Sequence, residues 1–266
     1  MRNVRVESLV DYIEVIAGLA DSAVYYRGAK DPAEDMKPTV VRSWQKNRRI
    51  RRDCGEEPRL SLWAYEARLV EAFQRQALPF LEAVPDCHLN WLAVAQHHQL
   101  PTRLLDWTRN PLIALYFAAT NRGSYAAPED WQDVHVFVWE IGGRMDAQRH
   151  ILPLDRVRAM RPAGEGLIAA AEAQDAPDLL LFSPPIISSR FASQEGLFSL
   201  ERQLSETPLP EIAERAGLRL TRITVAGPAR LGILSQLDRL GVETGKLFPD
   251  LPGLCAHQKW VAEWLW

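Results

Sequence analysis

Apolar and polar positions recur along the chain with two different periods. Ser8 precedes a stripe of Tyr12, Ile13, Ile16 and Leu19, and Asp11 follows it by three, an approximate capping box at the head of a first helix. The run Val24-Tyr25-Tyr26 predicts a buried strand that stops at an Arg27-Gly28 turn. Residues 29–59 are polar and predict irregular chain. Over 60–78, Leu62, Leu69 and Phe73 oppose Glu66, Arg68 and Glu71, the pattern of an amphipathic helix that Pro79 ends. A second helix is expected over 89–97. Asn110-Pro111 opens a third, with Asn as N-cap and Pro at the first helical position before LIALYFAA.

The second half reads differently. VHVFVWEI at 134–141 is β-branched and aromatic and is bounded by Gly142-Gly143, so a central strand is expected there. Two more strands are expected at 186–191 and 197–200, around a Gln194-Glu195-Gly196 kink. Another is expected at 220–225. Pro228 then starts a helix with a Leu231, Leu234, Leu237 stripe and an end at Gly241. Helices dominate up to residue 120, strands dominate 134–240, and 241–266 is a tail. Strict βαβα alternation is missing, so one α+β domain over 1–266 fits better than a doubly wound sheet.

Composition narrows this picture. Hydrophobic residues at 47% supply enough apolar side chain to exclude a disordered chain. No apolar run reaches the ~20 residues of a membrane span. The first apolar stretch carries acids and has no small-residue cleavage site, so a cytoplasmic protein is expected. Cys54, Cys87 and Cys255 are too scattered for a disulfide framework or a zinc site, and no metal is expected. A net charge of −3 gives no global pull toward nucleic acid. Of the 31 basic residues 26 are Arg, the better fork for phosphate, although a GC-rich genome gives the same skew.

Candidate chemistry is densest between Trp91 and Ala119. His97, His98, Thr102, Arg103, Asp106, Trp107, Thr108 and Arg109 sit between two expected helices, where a helix N-terminus can meet an anion. Adjacent helical histidines point about 100° apart, so at most one of His97 and His98 faces a site. Arg103 and Asp106 could pair and lock the turn. A second cluster, Arg42, Lys46, Arg48, Arg49, Arg51 and Arg52, could contact nucleic-acid phosphates, with Trp44 stacking on a base. Its alternative is a solvated face that Cys54, Glu56 and Glu57 end. Trp260, Trp264 and Trp266 read as packing, the first two sharing a helix face.

Tyr26-Arg27-Gly28, the string Ala95-Gln96-His97-His98-Gln99-Leu100-Pro101-Thr102-Arg103-Leu104-Leu105-Asp106-Trp107-Thr108, then Asn110-Pro111 and Leu115-Tyr116-Phe117-Ala118, resemble the FRG domain family. Gln194-Glu195-Gly196-Leu197-Phe198 and Leu247-Phe248-Pro249-Asp250-Leu251 extend the likeness, which then spans about 22–257. The FRG pattern in turn distantly resembles the ADP-ribosyltransferase fold, which implies a mixed or antiparallel β core flanked by an N-terminal helical region.

That resemblance implies NAD as a substrate, with a macromolecular acceptor, DNA, RNA or protein. Arg27 would grip the NAD phosphates, beside a Gly28 that lets backbone approach the ligand. Thr108 and His97 would line the nicotinamide-ribose pocket, and Arg103 with Asp106 would shape the loop. Glu195 would orient ribose and acceptor, or Gln194 would, since the family signature resembles Gln-x-Gly-x-Phe. Arg48, Arg49, Arg51 and Arg52 would meet nucleic acid. The expected function is an NAD-dependent ADP-ribosyltransferase in a toxin or phage-defence setting, with an antitoxin or regulatory protein as a further partner. The alternatives are a non-catalytic nucleotide or nucleic-acid binding module and, third, a phosphodiesterase using His97 or His98 as acid–base.

Overall fold

A computed structural model describes residues 1–19, 23–57, 59–120, 127, 130–142, 150–163, 166–169, 177–184 and 189–264. Its strands are β1 (Arg2–Val6), β2 (Ala23–Ala29), β3 (Leu105–Thr108), β4 (Val134–Ile141), β5 (Met160–Ala163), β6 (Gly166–Ala169), β7 (Leu179–Phe182), β8 (Gly196–Glu201) and β9 (Arg219–Val225). The helices are α1 (Leu9–Ala17), α2 (Pro32–Asp35), α3 (Thr39–Asp53), α4 (Leu62–Ala77), α5 (His88–His97), α6 (Pro111–Ala119), α7 (Leu154–Ala159), α8 (Ser189–Ser193), α9 (Leu209–Arg215), α10 (Arg230–Arg239), α11 (Thr244–Leu247) and α12 (Leu251–Trp264). No described helix is long and apolar enough to cross a membrane.

Seven strands make one mixed sheet in the order β1-β9-β4-β2-β3-β8-β7, and β5 and β6 form a separate hairpin. β1 runs parallel to β9, and the other neighbours in the sheet are antiparallel. The chain is therefore α+β. β4 occupies the span its composition predicts and is buried on both faces. Val134, Val136 and Val138 join α6 and α10 in one core, while Phe137, Trp139 and Ile141 join α9 in another. A third core joins α4, α5 and α7 to β7 and β8.

Four expectations change. Residues 29–59 are not irregular: Asp31 caps α2, and α3 follows because Val40, Val41 and Trp44 bury one face against Leu62 of α4. β2 does not stop at Gly28 but pairs with β4 through Ala29. The second half of the strand expected at 186–191 is helix α8, closed by Gln194 N–H donating to the Arg190 carbonyl; 186–188 lie outside the described residues, as do Gly143 and Trp266. β1 was not expected, although Val4 and Val6 alternate with polar residues as an edge strand does. Pro228 does not start the helix but lies inside a 3-10 turn, Gly227–Ala229, that leads into α10 at Arg230, and Gly241 at φ +82° follows the helix end.

Candidate functional site

The sheet forks between β2 and β3. These neighbours share one registered pair, Tyr26 with Thr108, whereas β2 and β4 share seven and β3 and β8 share four. Beyond Tyr26 the two strands part, and a cleft of about 540 Å³ opens in the fork. That lies within the ~300–1,000 Å³ of small-molecule sites.

Arg27 spans the fork. Its Nη1 donates to the Asp106 carbonyl at 2.7 Å, and its Nε and Nη2 donate to the Asp35 carbonyl at 3.3 and 2.9 Å. Two of its five N–H donors are not used by these carbonyls. Burial pulls its pKa down, against the opposing pull of Asp106 and Asp35, and the guanidinium stays charged. Arg27 is thus both a stitch across the split and a cation in the cleft wall.

Behind it runs a polar chain that the 95–108 string encodes. Thr39 Oγ1 donates to the Thr102 carbonyl, Thr102 Oγ1 to Gln96 Oε1 at 2.8 Å, and Gln96 Nε2 to Asp106 Oδ2 at 2.8 Å. Asp106 keeps 61% of its side chain exposed, so its carboxylate is both oriented and reachable. His97 also lines the cleft. Burial, then His98 and Arg190, lower its pKa against Asp106, so the imidazole is neutral at pH 7. His98 is the C-cap of α5, its ring edge-on to His97, so one histidine of the pair faces the cleft.

Thr108 ends β3, and its Oγ1 accepts from the Asn110 N–H at 3.1 Å. Thr108 itself lines the cleft. Asn110 caps α6 as expected, accepting from Leu112 and Ile113, and its Nδ2 donates to Glu195 at 3.1 Å.

Of the two rival residues, Gln194 lines the cleft, with Nε2 donating to the Leu247 carbonyl at 3.0 Å. Glu195 is exposed at φ +48° and does not line the cleft. Both belong to the turn between α8 and β8, not to a strand. The structure thus brings Arg27, His97, Asp106, Thr108 and Gln194 together.

Other candidates fall elsewhere. Arg103 does not pair with Asp106. It is fully buried, forks onto Glu66 of α4 through Nε and Nη2, and donates from Nη1 to the carbonyls of Glu201 and Arg202. It does not line the cleft. Glu66, expected on the solvent face of its helix, is accordingly buried. Gly28 lines the cleft, but its lack of a side chain serves packing. A Cβ there would lie 2.4 Å from the Ala114 carbonyl oxygen and 2.6 Å from the Ala118 nitrogen of α6.

The basic run lies on α3, whose first residue, Thr39, touches the cleft. Arg48 to Arg52 sit roughly 14–20 Å further along at 1.5 Å rise per residue. Trp44 is buried and donates its indole N–H to the Leu60 carbonyl, so it cannot stack on a base. Arg48 lies over the Trp44 ring and faces Glu206 at 3.9 Å, and Arg51 pairs with Glu56. Arg49 and Arg52 are exposed. The sequence reading missed Lys30, Phe117 and Arg190 in the cleft wall. Arg190 stacks on Phe248 with its guanidinium 4.4 Å from the ring centre, a contact between α8 and the C-terminal region that no local pattern signals.

No curated protein and no solved structure matches the chain. The FRG domain matches over residues 22–126, the stretch that carries Tyr26-Arg27-Gly28 and the 95–118 string; the expected extension to 257 lies outside that match. The polar chain from Thr39 to Asp106 and the Arg27 stitch therefore lie within residues 22–126, the part of the chain that carries an FRG domain.

Proposed function

We propose that the cleft binds NAD and that the protein transfers ADP-ribose to a macromolecule. The observation that carries this reading is the convergence of Arg27, His97, Thr108 and Gln194 on one forked cleft. Cleavage of the nicotinamide glycosidic bond puts positive charge on the ribose, so a fixed carboxylate beside it lowers the barrier. Asp35 and Asp106 are the carboxylates among the described lining residues. Asp35 Oδ2 accepts from the backbone N–H groups of Lys30 and Asp31 and holds its own loop. Asp106 is held by Gln96 and stays reachable, so it takes the stabilising role that sequence gives to Glu195. Arg27 and Lys30 supply cations for the diphosphate. The exposed guanidiniums of Arg49 and Arg52 would meet the phosphates of a nucleic-acid acceptor. Such an activity suits a toxin or phage-defence effector restrained by an antitoxin.

The test is nicotinamide release from NAD in the presence of cell nucleic acid or protein. Asp106→Asn keeps the shape and the Gln96 contact, and should lower release by about 10²–10³, the scale of one preorganised stabiliser. NAD affinity, measured by calorimetry, should change little. One observation favours a second reading, a non-catalytic nucleotide-binding module: an amide, Gln194, stands in the wall where the transferase pattern places a carboxylate. NAD bound tightly by the wild type but never cleaved would establish that module instead.

A further inference from the structure

We propose that Asp238, Glu243 and His257 form a binding site for a divalent transition-metal cation of the Zn²⁺ or Mn²⁺ kind, tethering the C-terminal helix. The inference is independent of what the cleft binds. The three residues come from separate elements: Asp238 from the last turn of α10, Glu243 from the N-cap of α11, and His257 from the middle of α12. One potential ligand atom from each lies within 4.8 Å of the other two. His257 Nδ1 stands 3.6 Å from Asp238 Oδ1, and His257 Nε2 stands 3.4 Å from Glu243 Oε2.

The cluster sets two carboxylates around one imidazole. Its side chains are only 22%, 21% and 12% exposed, so water screens them poorly. Asp238 Oδ1 is buried and receives no hydrogen bond from the described residues, a costly state for a carboxylate oxygen. Neither carboxylate has a Lys or Arg within salt-bridge distance among the described residues. Two carboxylates and an imidazole are oxygen and nitrogen donors suited to Zn²⁺ or Mn²⁺, and three protein ligands leave a coordination position for water. A small cavity of about 40 Å³ that Asp238, Glu243 and His257 help to line provides room for it.

The place of the cluster in the fold gives such an ion a consequence. Glu243 caps α11, and α11 ends at Leu247, whose carbonyl holds Gln194 in the cleft wall. A cation at the cluster would fix α10, α11 and α12 to one another and so steady that wall from behind.

The experiment uses the whole chain, stripped with chelator and titrated with Zn²⁺, Mn²⁺ and, as a spectroscopic probe, Co²⁺. One equivalent of metal should bind per chain and raise the melting temperature by several degrees, as mass action on the folded state requires. His257→Gln and Asp238→Asn should each abolish both effects, whereas a His97→Gln, His98→Gln control should keep them. A cobalt absorption band that saturates at one equivalent supports the site without any variant, in case the variants fold poorly. No binding by the wild type overturns the proposal, and so does binding that survives both His257→Gln and Asp238→Asn. A chain indifferent to metal but stabilised on acidification through the imidazole range, and losing that in His257→Gln, also overturns it: the cluster is then an imidazolium held by two carboxylates.

Discussion

Arg103 and Glu66 form an ion pair closed off from water, with side chains 0% and 3% exposed. Arg103 Nε donates to both Glu66 oxygens at 3.1 and 2.9 Å, the Arg103 backbone N–H also reaches Oε1, and Nη1 takes two carbonyls of the β8 end. The pair fastens α4 to the 95–108 segment and to the strand that borders β3. Removing one partner leaves a buried charge without its counterion. Glu66→Ala should therefore cost about 3–5 kcal/mol, while the double change Glu66→Leu, Arg103→Met should cost far less, because neither charge is then stranded. Urea midpoints of the three proteins measure this, and equal losses in the single and double variants would refute it.

Gly28 tests how closely α6 seats on β2. A methyl group there would press on the backbone of Ala114 and Ala118, which no rotamer change can relieve. Gly28→Ala should destabilise by about 1–3 kcal/mol, the usual cost of overpacking, and should weaken any ligand of the cleft by widening the fork. Unchanged melting with altered ligand affinity would mean instead that the residue serves the ligand.

Gln194 and Glu195 separate cleanly by position. Gln194→Ala removes a cleft side chain and its tie to Leu247, so ligand affinity should fall roughly 5–10-fold, the worth of one hydrogen bond. Glu195→Gln changes an exposed carboxylate outside the lining and should leave affinity within twofold. Calorimetric titration with NAD or ADP-ribose checks both. The reverse ranking would show that the turn rearranges to present Glu195.

Much of this arrangement is legible in the sequence, and what is not has two causes, partners distant in the chain and apolar positions outnumbered by charge. Asn110-Pro111 and the 134–141 run are legible because caps and β-branched runs are local signals. Arg27 and Thr108, which the family resemblance assigns to one pocket, both line the cleft. The loop role expected of Arg103 fails because its partner, Glu66, is 37 positions away on a helix whose polar face reads as solvated. Helix α3 was hidden because its charged residues outnumber the three buried ones that fold it. Arg190 shares the cause that hides the Arg103 partner: its neighbour in space, Phe248, is distant in sequence.

The pH dependence of stability follows from three half-buried imidazoles. His88, His97 and His135 each have a pKa lowered first of all by burial. Below about pH 6.5 the unfolded chain binds more protons at these positions than the folded one. Their contribution is thus complete above the unfolded pKa and is lost as pH falls through it toward the folded values. Glu201, whose pKa burial raises, works in the opposite direction, so histidine variants isolate the imidazole part. Urea midpoints should fall from pH 7 to pH 5.5, and His88→Gln with His135→Gln should flatten that fall. A slope untouched by these changes would assign it to other groups.

The fork that opens the cleft also bears on where an independent folding unit can begin and end. Residues 22–126 contain β2 and β3, which meet at one registered pair. The partners that complete the two strands, β4 and β8, come later in the chain, and the sheet's edge pairs Arg2 with Thr221. Cut out by itself, the FRG segment would carry two nearly unpaired strands and an α6 without the β4 valines beneath it, a species prone to associate through bare strand edges. During synthesis on the ribosome the same holds until about residue 225 has emerged. The FRG match therefore carries most of the cleft wall, and the rest is supplied by α8, β8 and the turn between them, outside the matched residues.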